Sequence, residues 1–149
     1  MKTLNYSVSI KAPVEKVWTK MLEDEGYRQW TAAFHPGSYY KGKFEKGAEI
    51  RFIGPDEKGN EQGMFSMIKE LRKHEFVSIE HQGLIKDGQV DTTSEDVRKW
   101  APSYENYSFS RSGEETKVDV EMQSPDEYAD HFDQMWPNAL AKLKEISEK

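Results

Sequence analysis

The sequence predicts an α+β fold in which one curved antiparallel sheet wraps around a long C-terminal helix. Three observations predict it. The middle of the chain reads as strands separated by turn residues, without the alternating helices that a doubly wound parallel sheet requires. A helix-start signal at Ser124-Pro125-Asp126-Glu127 precedes a segment whose apolar residues recur at helical spacing. The chain also opens with a strand pattern that passes directly into an amphipathic helical one. A single long helix carrying aromatics must bury its stripe against the sheet, and a sheet curved around a helix can enclose a cavity.

Residues 3–10 alternate, with Leu4, Tyr6, Val8 and Ile10 on one face and Asn5, Ser7 and Ser9 on the other, as in a half-buried strand. Pro13 then opens a helix with the stripe Val14, Val17, Trp18, Met21 and Leu22. Over residues 24–34, Tyr27, Trp30 and Phe34 mark a second short helix or an ordered loop. Strand signals resume at 38–40, residues 43–46 read as a turn, and 48–52 alternate again. Residues 54–60 hold two glycines, a proline, an aspartate and an asparagine, and read as a hairpin loop.

The next strand covers 62–71 and includes Met64, Phe65, Met67 and Ile68; a break at 72–74 leads to a strand over 76–81. The stretch 86–103 is polar and contains a short helix over 93–100, capped by Thr93 or Ser94. Residues 104–111 and 116–122 form a hairpin around 112–115. The final helix is expected from 125 to 145 or beyond, with Ser124 as cap, Pro125 at the first position and Glu127 closing a capping box. Its stripe is Phe132, Met135, Trp136, Ala139, Leu140, Leu143 and Ile146. Pro137 lies inside it, removing one backbone donor and crowding the carbonyl of Asp133, so a bend is expected over 133–137.

A length of 149 residues fits one domain, 1–149, with a sizeable core. Aromatics make up 12% of the chain, too many for disorder, and the extra rings either fill a core or line an apolar pocket. The formal net charge of −6 disfavours nonspecific binding to nucleic acid or to anionic membranes. The absence of cysteine excludes disulfides, thiol chemistry and thiolate zinc sites. No stretch approaches the roughly 18 apolar residues of a membrane span, and residues 1–7 lack a signal-peptide apolar run. The expectation is a soluble, cytoplasmic protein.

No catalytic motif accompanies this pattern. His35, His74, His81 and His131 do not form the close helical spacing of a zinc protease, and neither a metal nor a cofactor is expected. His81 alternates with Val77 and Ile79 and so faces inward, either as a hydrogen-bonded core histidine or as a polar anchor or acid–base group. His35, between Phe34 and Pro36, is a loop residue or sits at a cavity mouth. Glu105 lies between Tyr104 and Tyr107 and can enter a pocket only if its charge is paired or its pKa raised. Asp119 and Glu121 alternate with Val118, Val120 and Met122 and are expected to face solvent. No serine stands in a nucleophile elbow, and the glycines form neither a phosphate loop nor a dinucleotide fingerprint.

Several segments carry a resemblance. Residues 9–18, SIKAPVEKVW, pass from strand to helix through a proline; Tyr27-Arg28-Gln29-Trp30 is an aromatic second-helix region; Gly63-Met64-Phe65 is a glycine-containing strand. A polar segment from Asp91 to Trp100 precedes Tyr104-Glu105-Asn106-Tyr107, and the chain ends on Met135-Trp136-Pro137-Asn138-Ala139-Leu140-Ala141-Lys142-Leu143. In this order they resemble the START-related superfamily with its helix-grip fold. More closely, they are similar to its bacterial branch related to the C-terminal domain of the activator of heat-shock protein 90 ATPase. The resemblance implies a single START-like domain with a cavity between the concave face of the sheet and the C-terminal helix. Related folds carry lipids, hormones or polyketides, and some are enzymes; the family has no universal catalytic residues to carry over.

Alternation and resemblance together give a set of wall residues. Phe52, Phe65 and Met67 come from the central strands, Ile79 and His81 from the next, and Tyr107 and Phe109 from the strand after the polar segment. Met135 and Trp136 come from the last helix, Trp30 and Phe34 close one end, and Trp100 belongs to a lid. The same residues can instead fill a dry core. The expected function is binding of a small hydrophobic molecule, oriented by tyrosine, histidine or serine. A protein-interaction or chaperone-associated domain is the alternative, and an enzyme acting on a small hydrophobic substrate comes third. No coiled-coil repeat predicts an oligomer, and the oligomeric state stays open.

Overall fold

A computed structural model describes residues 1–149. The opening alternation forms strand β1 (Lys2–Ile10), and Pro13 turns the chain into helices α1 (Val14–Leu22) and α2 (Asp24–Thr31). Strands β2 (Tyr39–Gly42), β3 (Glu49–Ile53), β4 (Gly63–Arg72), β5 (Phe76–Lys86) and β6 (Gln89–Asp91) follow. Helix α3 (Glu95–Arg98) leads to β7 (Ser103–Ser112) and β8 (Glu115–Ser124), and α4 (Ala129–Glu148) ends the chain. No helix is long and apolar enough to cross a membrane.

The strands form one antiparallel sheet in the order β1-β8-β7-β5-β4-β3-β2, with β6 paired to β5 alone. Its concave face packs against α4, with α1 and α2 beside that helix. This is the α+β helix-grip arrangement. Along β8, Val118 and Val120 pair with Val8 and Tyr6 of β1, so the alternation of both strands places one apolar row inward. Ile10, Ile50, Ile68, Val77, Val118 and Leu143 are fully buried and tie β1, the sheet centre and α4 into one core. Register shifts at Phe65/Ser66 and Ile68/Glu70 bend β4 against β5.

The joint between α1 and α2 is one residue long. Glu23 donates its amide to the Thr19 carbonyl, ending α1, and accepts the Tyr27 amide, starting α2. The close turn needs Gly26: a Cβ there would lie 2.0 Å from the Lys20 carbonyl oxygen. It aims Tyr27 and Trp30 back over the sheet, and the Trp30 indole N–H locks the arrangement by donating to the Met21 carbonyl at 2.9 Å.

Two boundaries differ from the sequence expectation. The last helix starts at Ala129, after a 3₁₀ turn over Asp126–Tyr128, and no side chain caps it. Ser124 is the last residue of β8, opposite Lys2, and its buried hydroxyl donates to the Pro125 carbonyl; Glu127 stays in solvent. Sheet pairing therefore takes the residue that would have capped the helix. The helix continues through Pro137, which lies on its exposed side. The strand expected over 76–81 also runs on to Lys86 and turns into β6. Asp87 and Gly88, both at positive φ (52° and 75°), form the two-residue hairpin that connects them.

Candidate functional site

A cavity of about 430 Å³ opens between the concave face of the sheet, α2 and the first turns of α4. Thirteen of its 22 lining residues are hydrophobic, so its walls are mainly apolar. Helix α2 and the loop behind it contribute Tyr27, Trp30, Phe34 and His35; α4 contributes Phe132 and Trp136. The rings brace one another. Trp136 meets Phe34 edge-on at 4.9 Å between centroids and Tyr107 at 6.1 Å, and it stacks on Tyr6 at 5.9 Å. Its indole N–H points at the Met122 sulfur, 3.1 Å away. Leu84, Trp100 and the 55% exposed Tyr128 form part of the rim.

The sheet side of the cavity holds a polar network. His81 Nε2 lies 3.0 Å from Glu105 Oε1, and His81 Nδ1 lies 2.7 Å from the Ser66 hydroxyl. The Tyr107 hydroxyl donates to Glu105 Oε2. A carboxylate can only accept, so Nε2 carries the hydrogen; in the neutral ring Nδ1 then accepts from Ser66. Each Glu105 oxygen has one protein donor and retains a free acceptor position. Burial, and secondly the Glu105 charge, push the Tyr107 and Tyr27 hydroxyls well above the ordinary tyrosine range. Both rings stay neutral donors at ordinary pH. On the other face of β5, Glu80 is held below the usual carboxylate range by hydrogen bonds from Gln82 and Tyr104.

Ser66, His81 and Glu105 have the residue types of an acyl-transfer triad, but the arrangement cannot act as one. Ser66 is completely buried and does not line the cavity, so its oxygen reaches no substrate. His81, Glu105 and Tyr107 line the cavity, and of these the Glu105 carboxylate keeps acceptor positions beyond the network. No three His, Asp or Glu side chains come together to hold a metal ion.

Six of the eleven wall residues expected from sequence line the cavity: Trp30, Phe34, Phe52, His81, Tyr107 and Trp136. Trp100, expected in a lid, also lines it, and so does His35. Five lie elsewhere. Phe65 and Met67 are on the opposite face of β4, because Met64, Ser66 and Ile68 point inward; Phe65 packs its ring under the Arg51 guanidinium at 5.4 Å. Ile79 shares the face of His81 but is sealed in the core opposite Ile68. Phe109 packs edge-on against Trp18 of α1, at 5.0 Å, away from the cavity. Met135 is half-buried beside Trp136 without reaching the cavity, and Phe132, one turn earlier, takes that place.

The wall set expected from sequence leaves out Tyr27, Met64 and Phe132, which line the cavity, and Glu105 enters it under the condition stated for it, with its charge paired. Tyr27 precedes Trp30 by three residues and Phe34 by seven, the spacing of one helix face. Met64 alternates with Ser66 and Ile68, a signal masked by the equally apolar Phe65 and Met67 on the other face.

The model of the family described as "Activator of Hsp90 ATPase homolog 1-like protein" matches residues 11–148. No curated protein matches the chain. Among solved structures, the fold is similar to a protein from Nitrosomonas europaea (TM-score 0.72, 14% identity, covering 97% of this chain and 93% of that one). It is similar to the Aha1 dimer from Colwellia psychrerythraea (TM-score 0.72, 17% identity, 99% and 97% covered). A protein from Rhizobium leguminosarum is also similar (TM-score 0.68, 19% identity, 99% and 94% covered). At these identities the likeness is one of fold.

Proposed function

The chain belongs to the activator of Hsp90 ATPase homolog 1-like family, and from that premise we propose that it binds a small hydrophobic molecule between the sheet and α4. The observation that carries this reading is the aromatic cavity of about 430 Å³ with a single polar network in its wall. Apolar walls take a hydrophobic ligand out of water at about 25 cal/mol per Å² of apolar surface buried. The His81–Glu105–Tyr107 network orients the ligand's polar end. Native mass spectrometry of gently purified protein, followed by release and identification of any bound molecule, tests it. A defined extra mass that is displaced by a competing hydrophobe supports the proposal; bare protein that takes up no hydrophobic probe opposes it.

A second reading is a protein-interaction, chaperone-associated domain, and the comparisons favour it over the first. Its support is the family description and the dimeric state named for the Colwellia relative. Its test is direct: mixed with purified bacterial Hsp90, the protein either forms a complex and changes the ATPase rate or does neither. A cytoplasmic location is part of both readings.

A further inference from the structure

We propose that the cavity selects ligands whose polar end is an amine, and discriminates against carboxylates and phosphates. This inference rests on the reading of the cavity as a ligand site and specifies its chemistry.

Glu105 carries the one carboxylate among the lining residues, and no lysine or arginine lines the cavity. Its side chain is 17% exposed, so it is open to the cavity yet largely withdrawn from solvent. Its two oxygens accept from His81 and Tyr107 and keep acceptor positions for an incoming N–H.

The neighbouring groups offer an anion little in return. His81 directs Nε2 to Glu105 and Nδ1 to Ser66, so even its charged form presents no free N–H to a ligand. His35 pairs Nε2 with the Pro55 carbonyl, which can only accept; the neutral ring therefore leaves Nδ1 as another acceptor. The hydroxyls of Tyr27, Ser38, Ser103 and Tyr128 donate or accept and do not discriminate, and the Trp100 indole and Gln123 amide bring N–H donors but no positive charge to balance an anion.

The aromatic walls act in the same direction. Trp30, Phe34, Phe52, Tyr107 and Trp136 line the same cavity as Glu105, and an aromatic ring attracts a cation held over its face within about 6 Å of the centroid. A carboxylate or phosphate there would face the Glu105 charge among mainly apolar walls.

Three probes with one aromatic body and different heads decide it: naphthylmethylamine, naphthylmethanol and naphthoate, titrated calorimetrically into the intact protein at neutral pH. The amine is expected to bind at least about tenfold more tightly than naphthoate, with the alcohol between them. Glu105→Gln, nearly isosteric, is expected to bring amine and naphthoate within about twofold, mainly by weakening the amine. Naphthoate binding as tightly as the amine overturns the inference while leaving the ligand-site reading intact. So does an amine preference that survives Glu105→Gln. Failure of all three probes to bind overturns the ligand-site reading and the inference with it. The ranking in the unsubstituted protein decides the question even if the variant does not fold.

Discussion

His81 of β5 reaches diagonally to Glu105 of the neighbouring strand β7, Nε2 to Oε1 at 3.0 Å, although its direct partner in the ladder is Ser103 and that of Glu105 is Ile79. The diagonal lets a large charged side chain enter an aromatic wall with both carboxylate oxygens partnered. The pair is the point where sheet stability and the chemistry of the cavity meet.

Replacing Glu105 separates these roles. Glu105→Leu removes both acceptors and leaves the Tyr107 hydroxyl and the His81 Nε2–H unpaired at a site where both rings are buried. An unpaired buried donor costs about 1–3 kcal/mol, so the urea midpoint should fall clearly. Glu105→Gln retains one acceptor oxygen and should lose less. A Glu105→Leu midpoint equal to that of the unsubstituted protein would mean that the network adds nothing to stability.

The face assignment of β4 is checked with two methionines. Met64 lines the cavity and Met67 faces the other way. Met64→Ala is expected to weaken naphthylmethylamine binding by about 1 kcal/mol, roughly fivefold, whereas Met67→Ala leaves the affinity unchanged. An effect of Met67→Ala as large as that of Met64→Ala would place the binding site outside this cavity.

The buried tyrosines give the protein an alkaline limit. Tyr27 and Tyr107 have pKa values raised well above the ordinary value of 10.0, first by burial and then by the Glu105 charge. In the unfolded chain they titrate near the ordinary value, so above about pH 10 the unfolded state has lost protons that the native state keeps. The contribution is fully present below the unfolded pKa and is lost as pH rises toward the folded ones. Stability should hold through neutral pH and fall from about pH 10 upward. Phenolate absorbance should show these two rings ionising together with the loss of circular dichroism. Their ionisation within an intact fold would contradict the burial argument.

The elements were legible because their periods are local. The alternation of β1, the stripe of α1 and the spacing of α4 are each set within a few residues, and each element formed. The start of α4 was misread because Ser124 satisfies two local rules at once: it is a good helix cap and a good last strand residue. Only the partner strand, with Lys2 opposite, decides between them. The Asp87-Gly88 hairpin was readable from sequence by its turn chemistry, yet β6 is short and polar enough to pass for loop.

The wall residues divide along the same line. Sequence by itself determined that this chain folds as strand, amphipathic helix, antiparallel sheet and long helix, and that the helix stripes and one face of the strands turn inward. Those properties follow from which side chains avoid water and at what spacing. Tertiary structure alone decided which of them touch empty space and which touch one another. Ile79 and His81 lie on the same face of β5 two residues apart, yet one is sealed against Ile68 and the other looks into the cavity. That difference comes from the curvature of the sheet and the standoff of α4, which depend on contacts between residues far apart in the chain. Glu105 is the clearest case. A carboxylate in an aromatic wall is unfavourable by every local rule, and it becomes stable only when folding brings His81 and Tyr107 to its two oxygens.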